Sequence, residues 1–248
     1  MRVERQLILY SIPFLVFLAA AGLTPVLYIL AKSVSGGLAL WGSVFAGRPS
    51  QALPGWDWGL SMTLLWEPLA RSVYVGVGAT LLSVGLGAAF AVLVATSDLR
   101  YKRAFVYSEV LQFVIPPLTI AQFWVVASSL FRLPPFLVSG PLPMVLVLGV
   151  HFQSLVFLIV NASLRRLDQT VVDAALVSGA RYRQVVRRVI LPLAVPSIMT
   201  ASALSLFFNL SAFTPLFILG TGSSPYYTLS MQVYAVYLGS ILDPVSTQ

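Results

Sequence analysis

The sequence predicts an all-α, polytopic bundle of transmembrane helices, and two observations carry this prediction. Of the 248 residues, 58% are hydrophobic and only 9% are charged, whereas a soluble domain usually carries about 25% charged residues. The Lys and Arg residues are concentrated in short segments between long uncharged runs. This distribution is typical of the loops that orient membrane helices.

Composition also limits the chemistry that the chain can perform. It has no cysteine and a single histidine, His151, which excludes disulfides, thiolate metal sites and a cysteine nucleophile. We therefore expect no catalytic residues, no metal site and no cofactor. The net charge of +7 lies mostly in loops beside apolar segments, so we expect membrane lipid and not nucleic acid as its surroundings.

Residues 1–68 are predicted to form one span and an external loop. The uncharged run Leu7–Leu30 is long enough to cross the hydrocarbon core, which takes about 20 apolar residues. Lys32–Glu67 follows as a loop containing Gly, Pro and Ser. Its tryptophans are Trp41, Trp56, Trp58 and Trp66. Indole rings favour the membrane interface; a docking surface for a partner protein is the alternative.

Residues 69–242 are predicted to form the core of the bundle. Its spans are expected at Ser72–Ser97, Tyr107–Leu130, Met144–Leu164 and Leu193–Leu219, which makes about five in all. Small residues in the first of these should let helices approach closely, and Pro116-Pro117 should kink the second. Thr228–Leu242 is short for a span and is expected to be an outer interfacial helix. Residues 243–248 form the C-terminal end.

Charge predicts the orientation. With the N-terminus inside, eleven of the fifteen Lys and Arg residues fall in the inner segments and four in the outer ones. Because positive loops stay in the cytoplasm, we expect the N-terminus and the loop 165–196 to be cytoplasmic in a multi-pass cell-membrane protein.

The loop 165–196 is predicted to be a helical hairpin. Asp168 is a suitable N-cap for its first helix, and Gly179 can end that helix with a positive φ. The second helix would present one apolar face, formed by Tyr182, Val185, Val186 and Val189. Pro192 fits the start of the following helix, where a missing N–H costs nothing.

The same loop resembles the EAA loop of ABC importer permeases, whose pattern is E-A-A-x3-G-x9-I-x-L-P. Here Asp173-Ala174-Ala175, Gly179 and Val189-Ile190-Leu191-Pro192 stand at those offsets, with Asp for Glu and Val for Ile. An ordinary basic loop is the alternative interpretation, but it need not hold Gly and Leu-Pro at these offsets. By the resemblance, contact with an ATPase is expected of Asp173, Ala174, Ala175, Gly179, Ala180, Tyr182, Leu191 and Pro192.

The resemblance implies the membrane-spanning subunit of a type I importer in the inner membrane. Its implied partners are cytoplasmic ABC ATPase subunits, a second permease subunit and an external solute-binding protein. The chain contains no G-x-x-x-x-G-K-[ST] phosphate loop, so we expect ATP hydrolysis on a partner and no enzymatic activity here. Similar permeases have one more C-terminal span, so truncation of this chain is open. The segment SAFTPLFILG is similar to permeases for ferric iron, thiamine and polyamines; we favour iron, with an inorganic anion as a further alternative.

Polar side chains at membrane depth are candidates for the translocation path, because unsatisfied polar groups are costly in hydrocarbon. The path is predicted to involve Gln122, His151, Asn209, Ser211 and Thr214. Hydrogen bonding between helices is the alternative role for each. Glu109 is expected near the cytoplasmic end of its span, paired with the cluster Arg100–Arg103.

Two other classes of protein remain as alternatives. An ion-gradient-driven secondary transporter would be expected to hold carboxylates inside its spans, and the mid-span regions are predicted to lack them. A non-transporting scaffold or a membrane-embedded enzyme is the other, and an enzyme would need a nucleophile–base pair or metal ligands in the spans.

Overall fold

A computed structural model describes residues 2–35, 38–49, 55–97, 100–166, 175, 177–221 and 225–242. These residues are mostly helical and contain no strand, which confirms the all-α class. The chain divides into two compact units, Met1–Trp66 and Glu67–Gln248.

The first unit contains α1 (Arg2–Ser35), α2 (Leu38–Ala46) and α3 (Trp58–Ser61), followed by a π-helical turn at Met62–Trp66. The segment predicted to be a loop therefore holds two helices. Two of its indoles form internal hydrogen bonds: Trp56 Nε1 donates to Ser61 Oγ at 2.6 Å, and Trp66 Nε1 donates to the Phe45 carbonyl at 3.3 Å.

The second unit contains nine helices in the described residues. They are α4 (Glu67–Thr96), α5 (Lys102–Val114), α6 (Pro117–Leu130), α7 (Pro135–Val138), α8 (Pro141–Leu164), α9 (Tyr182–Val185), α10 (Leu191–Ser211), α11 (Thr214–Gly220) and α12 (Leu229–Leu242). A second π-helical turn, Val186–Ile190, joins α9 to α10 without a break.

Three helices in the described part of the chain are long and apolar enough to cross a membrane. They are Trp58–Thr96, Pro135–Leu164 and Tyr182–Ser211. The pair α5 and α6 is bent by 96° and adds a fourth crossing if it is one span. The first predicted span lies within α1. The apolar helical stretch found there, Ala20–Lys32, is shorter than a candidate membrane span. The five predicted spans thus have three or four counterparts.

The parallel pair α4 and α8 lies at the centre of the second unit and depends on small residues. A Cβ added at Gly87 would lie 2.5 Å from the Gln153 carbonyl oxygen, and one at Gly149 would lie 2.6 Å from a Leu82 methyl group. The Ser83 hydroxyl donates to the Gly149 carbonyl at 2.9 Å. The predicted role of small residues in close helix approach is therefore confirmed.

In the described residues a proline follows each of the two π turns. Pro192 is the second residue of α10, in agreement with the predicted helix start, although α9 and a π turn precede α10 without a break. Each π turn ends two residues before a proline, Pro68 in one case and Pro192 in the other. A proline ring clashes with the preceding helical turn; the wider π turn, in which Leu191 N–H donates to the Val186 carbonyl, makes room for the ring.

Candidate functional site

Two helix breaks face a common cleft of about 380 Å³. The first lies between α5 and α6, where Ile115 and Pro116 each precede a proline and are extended, with ψ of 127° and 139°, as the proline ring requires. The second lies between α10 and α11 at Ala212-Phe213, where Pro215 has no N–H for the Ser211 carbonyl. The predicted kink at Pro116-Pro117 is confirmed, and it is a near-right-angle bend.

The cleft combines aromatic rings with two hydroxyls. Its lining includes Phe152, Phe208, Phe213, Ser211 and Thr214, with no charged side chain among the lining residues. The rings of Phe152 and Phe208 are stacked with centroids 5.7 Å apart. Ser211 and Thr214 are exposed, so this surface offers hydrogen bonds beside an aromatic wall.

Asn209 does not face the cleft, contrary to the prediction that it faces an aqueous cavity. Its side chain is only 1% exposed, and its amide donates to Thr80 Oγ1 at 3.1 Å and to Ser205 Oγ at 3.2 Å. The bond to Thr80 ties α10 to α4, and the bond to Ser205 lies within α10. Because the helical period places Asn209 and Ser211 about 200° apart, only one of the two can face an open surface. Asn209 has the interhelical role that was the alternative.

The other two predicted path residues also lie away from the cleft lining. His151 is 2% exposed, and its ring contacts the Phe152 ring at a centroid distance of 4.7 Å. Its Nδ1 has no hydrogen-bond partner among the described residues. Gln122 is exposed on α6. The structure therefore brings Ser211 and Thr214 together and leaves the other three predicted residues elsewhere.

Glu109 is a buried acid whose partner differs from the predicted one. It is 4% exposed and accepts a hydrogen bond from Gln153 Nε2 at 2.8 Å. Among the described residues it makes no ion pair with the cluster Arg100–Arg103. The same Gln153 amide lies 3.4 Å from Gln112 Oε1.

The register between α5 and α8 shows how deep Glu109 lies. The two helices are antiparallel, with Phe105 beside Phe157, Glu109 beside Gln153, and Gln112 donating to the Val150 carbonyl. Gln153 is at the middle of α8, about 16 Å along the helix from Leu164. Glu109 therefore lies level with the middle of α8. Glu109 and Gln112 stand one helical turn apart, but that spacing does not indicate which helix lies opposite them.

The hairpin loop ends its first helix as predicted at Gly179. The φ of Gly179 is +83°, and the Ala180 N–H donates to the Ala175 carbonyl at 3.2 Å, which is the six-to-one bond of a Schellman motif. Asp173 and Ala174 lie outside the described residues, as does the proposed N-cap Asp168.

The second part of the loop is anchored to the bundle. Val185 is 1% exposed, and Ile190, with Val186 packed nearby, belongs to the buried cluster at the ends of α4 and α8. The Tyr182 hydroxyl donates to the Thr96 carbonyl at the end of α4. Leu191 and Pro192 remain exposed.

One helix joins the hairpin to the cleft. Tyr182–Ser211 is a single helix of 30 residues, about 45 Å long. Tyr182 contacts α4 at one end, and Ser211 lines the cleft at the other. A displacement of the hairpin can thus be passed along this helix to the cleft.

Comparison with known proteins finds similar sequences. Residues 82–242 match the family described as binding-protein-dependent transport system inner membrane component. The chain is also similar to the probable ABC transporter permease protein y4oQ of Sinorhizobium fredii, at 30% identity over 190 residues. That alignment covers 70% of this chain and 61% of the relative.

Proposed function

Because this chain belongs to the family of binding-protein-dependent transport system inner membrane components, we propose that it is a membrane-spanning subunit of an ABC importer. It carries a small solute across the inner membrane, and ATP is hydrolysed on a separate cytoplasmic subunit. A second permease subunit and an external solute-binding protein complete the assembly. The N-terminus and the loop 165–196 are cytoplasmic.

The observation that carries this proposal is the continuous helix Tyr182–Ser211. In the proposed mechanism the ATPase contacts the EAA-type loop, from Asp173-Ala174-Ala175 through Gly179 to Tyr182. Closure of the ATPase pair displaces this loop. The helix then carries the displacement to Ser211 at the cleft, so that the path alternates between inward-facing and outward-facing states.

We propose that solute passes the cleft between the two helix breaks. Broken helices at membrane depth are tolerated where they line a cavity. Ser211 and Thr214 would supply hydrogen bonds, and the Phe152–Phe208 pair would supply an aromatic surface.

The lining of this cleft does not favour iron over the other candidate solutes. None of its residues carries a carboxylate, the group that a bare ferric ion would be expected to prefer as a hard cation. The cleft is better suited to an organic solute, such as thiamine or a polyamine, that makes hydrogen bonds and ring contacts.

A gradient-driven carrier is the remaining alternative, and Glu109 supplies the buried carboxylate that this alternative needs. Uptake into membrane vesicles separates the two. We expect uptake to require ATP and to persist when a protonophore collapses the proton gradient. Uptake that continues without ATP and stops with the protonophore would contradict the importer.

Tyr182→Phe tests the mechanical part of the proposal. It removes one hydrogen bond, worth about 0.5–1.5 kcal/mol, between the hairpin and α4. We expect several-fold lower uptake of whichever of iron(III), thiamine or a polyamine the wild type carries, with unchanged abundance of the tagged chain in the membrane. Tyr101→Phe is the matched control, because Tyr101 is 73% exposed. Equal uptake by the Tyr182→Phe protein and the wild type would refute a role for this bond.

A further inference from the structure

A basic cleft lies where α8 ends and α5 begins. Its volume is about 600 Å³. The residues that line it are Arg100, Tyr101, Lys102, Arg103, Ala104 and Arg165. Four of the six are cationic and come from two separate parts of the chain. The cleft is distinct from the apolar cleft at the helix breaks and takes no part in the proposed coupling.

These cations have no protein counter-charge in the described part of the chain. None of the four forms an ion pair there; the ion pair that is present joins Arg71 to Glu67. Glu109, the acid seven residues after Lys102, is buried against Gln153. In the sequence, the segment DLRYKR holds three cations and one acid, so the excess is positive even before Arg165 is added. Clustered like charges repel unless an anion lies among them.

The N-terminus of α5 adds to the positive potential. This helix has 13 residues, and its N-cap residue, Tyr101, makes no side-chain capping hydrogen bond. The first intrahelical bond runs from Phe105 N–H to the Tyr101 carbonyl, so the amides before it are available to an acceptor. A helix N-terminus and several guanidinium groups together form a strong site for a phosphate group.

We propose that this basic cleft binds the phosphate of an anionic phospholipid headgroup. The cleft lies at the end of the bundle where α4 and α8, two of the candidate membrane spans, both end. Tyr101 beside it is 73% exposed, as is typical of aromatic residues at a membrane interface. Basic pockets between membrane helices recognise such headgroups. Both the charge and the location therefore fit a lipid better than a soluble anion.

Lipid competition on the purified full-length chain tests the proposal. The chain in detergent is mixed with equal amounts of phosphatidylglycerol and phosphatidylcholine, and bound lipid is counted by native mass spectrometry. We expect the wild type to prefer phosphatidylglycerol. The double variant Arg100→Gln/Arg103→Gln should lose about 30-fold in affinity for it, as about 1 kcal/mol for each cation near an anionic surface implies.

Arg187→Gln/Arg188→Gln is the matched control. It removes the same charge from exposed positions outside this cleft and should keep the wild-type preference. An equal loss of phosphatidylglycerol affinity in both double variants would show that net charge alone causes the effect, and it would refute a specific site in this cleft.

A second competition separates lipid from free phosphate. Inorganic phosphate at millimolar concentration should not displace phosphatidylglycerol from the wild type. If inorganic phosphate does displace phosphatidylglycerol, and if this displacement depends on Arg100 and Arg103, the cleft is a site for a soluble phosphate and the lipid proposal is wrong.

Discussion

Replacement of Gly179 by valine is the sharpest perturbation of the hairpin, because the strain it introduces is local. Gly179 has a φ of +83°, and a Cβ built there would meet no heavy atom of the described residues within 4 Å. The substitution therefore causes no collision with this part of the chain. Its cost comes from the backbone alone, since a β-branched residue is strongly disfavoured at positive φ.

The expected free-energy cost of Gly179→Val is small, but its expected effect on coupling is large. The left-handed conformation costs about 1–2 kcal/mol in an L-residue with a Cβ, and it is the conformation in which the Ala180 N–H donates to the Ala175 carbonyl. The correctly turned loop would then be populated roughly 5- to 30-fold less. The bundle should still insert and fold, because the buried clusters around α4 and α8 include neither Gly179 nor Ala180.

The assay compares four proteins that differ only at position 179. Membrane abundance, ATPase bound to the tagged chain and solute uptake are measured for Gly, Asn, Ala and Val at position 179. Asn tolerates positive φ better than other residues with a Cβ, so uptake should fall in the order Gly, Asn, Ala, Val while abundance stays constant. Gly85→Val is the control, because a Cβ at Gly85 also meets nothing within 4 Å but its φ is not positive.

Two results would refute this reasoning. Native uptake by the Gly179→Val protein would show that the shape of the loop does not matter for coupling. An equal loss in the Gly85→Val protein would show that the effect is one of side-chain bulk, not of backbone conformation.

Two further predictions concern topology and the α4–α10 contact. A single cysteine at Ser178 should resist an impermeant external reagent in intact cells and react after permeabilisation; labelling of intact cells would reverse the proposed orientation. Asn209→Leu should lower the free energy of unfolding by about 1 kcal/mol, because it removes the bonds to Thr80 and Ser205, and it should leave solute affinity unchanged. Ser211→Ala should change solute affinity and leave the free energy of unfolding unchanged. The opposite pattern would place Asn209 in the path.

Helix positions were predictable where a long uncharged run determines them, and less so where a proline intervenes. The span at Met144–Leu164 differs from α8 by three residues at its start. In contrast, the run Tyr107–Leu130 predicts one kinked span, whereas its two halves meet at 96°. Hydropathy reports that both halves are apolar, but it carries no information on the angle between them.

The candidate site likewise contains some features that were predictable from the sequence and others that were not. Gly179 was predictable because a helix end followed by a turn requires a positive φ, and only glycine adopts it without strain. The burial of Asn209 and the depth of Glu109 were not predictable, because both depend on which helix lies opposite. Glu109 acquires its partner from α8, 44 residues away along the chain. No local pattern specifies that register.

The π turn at Val186–Ile190 also determines how the residues before it, including Tyr182, are rotated about the helix axis relative to the span that follows. One inserted residue rotates everything before it by about 100° relative to a regular helix, so the face that Tyr182 presents depends on this single extra residue. Removing one residue from the turn would restore a regular helix but swing the Tyr182 hydroxyl about a quarter turn away from the Thr96 carbonyl. The residue count in this segment is therefore constrained independently of its composition, and a deletion there should be tolerated less well than any conservative replacement.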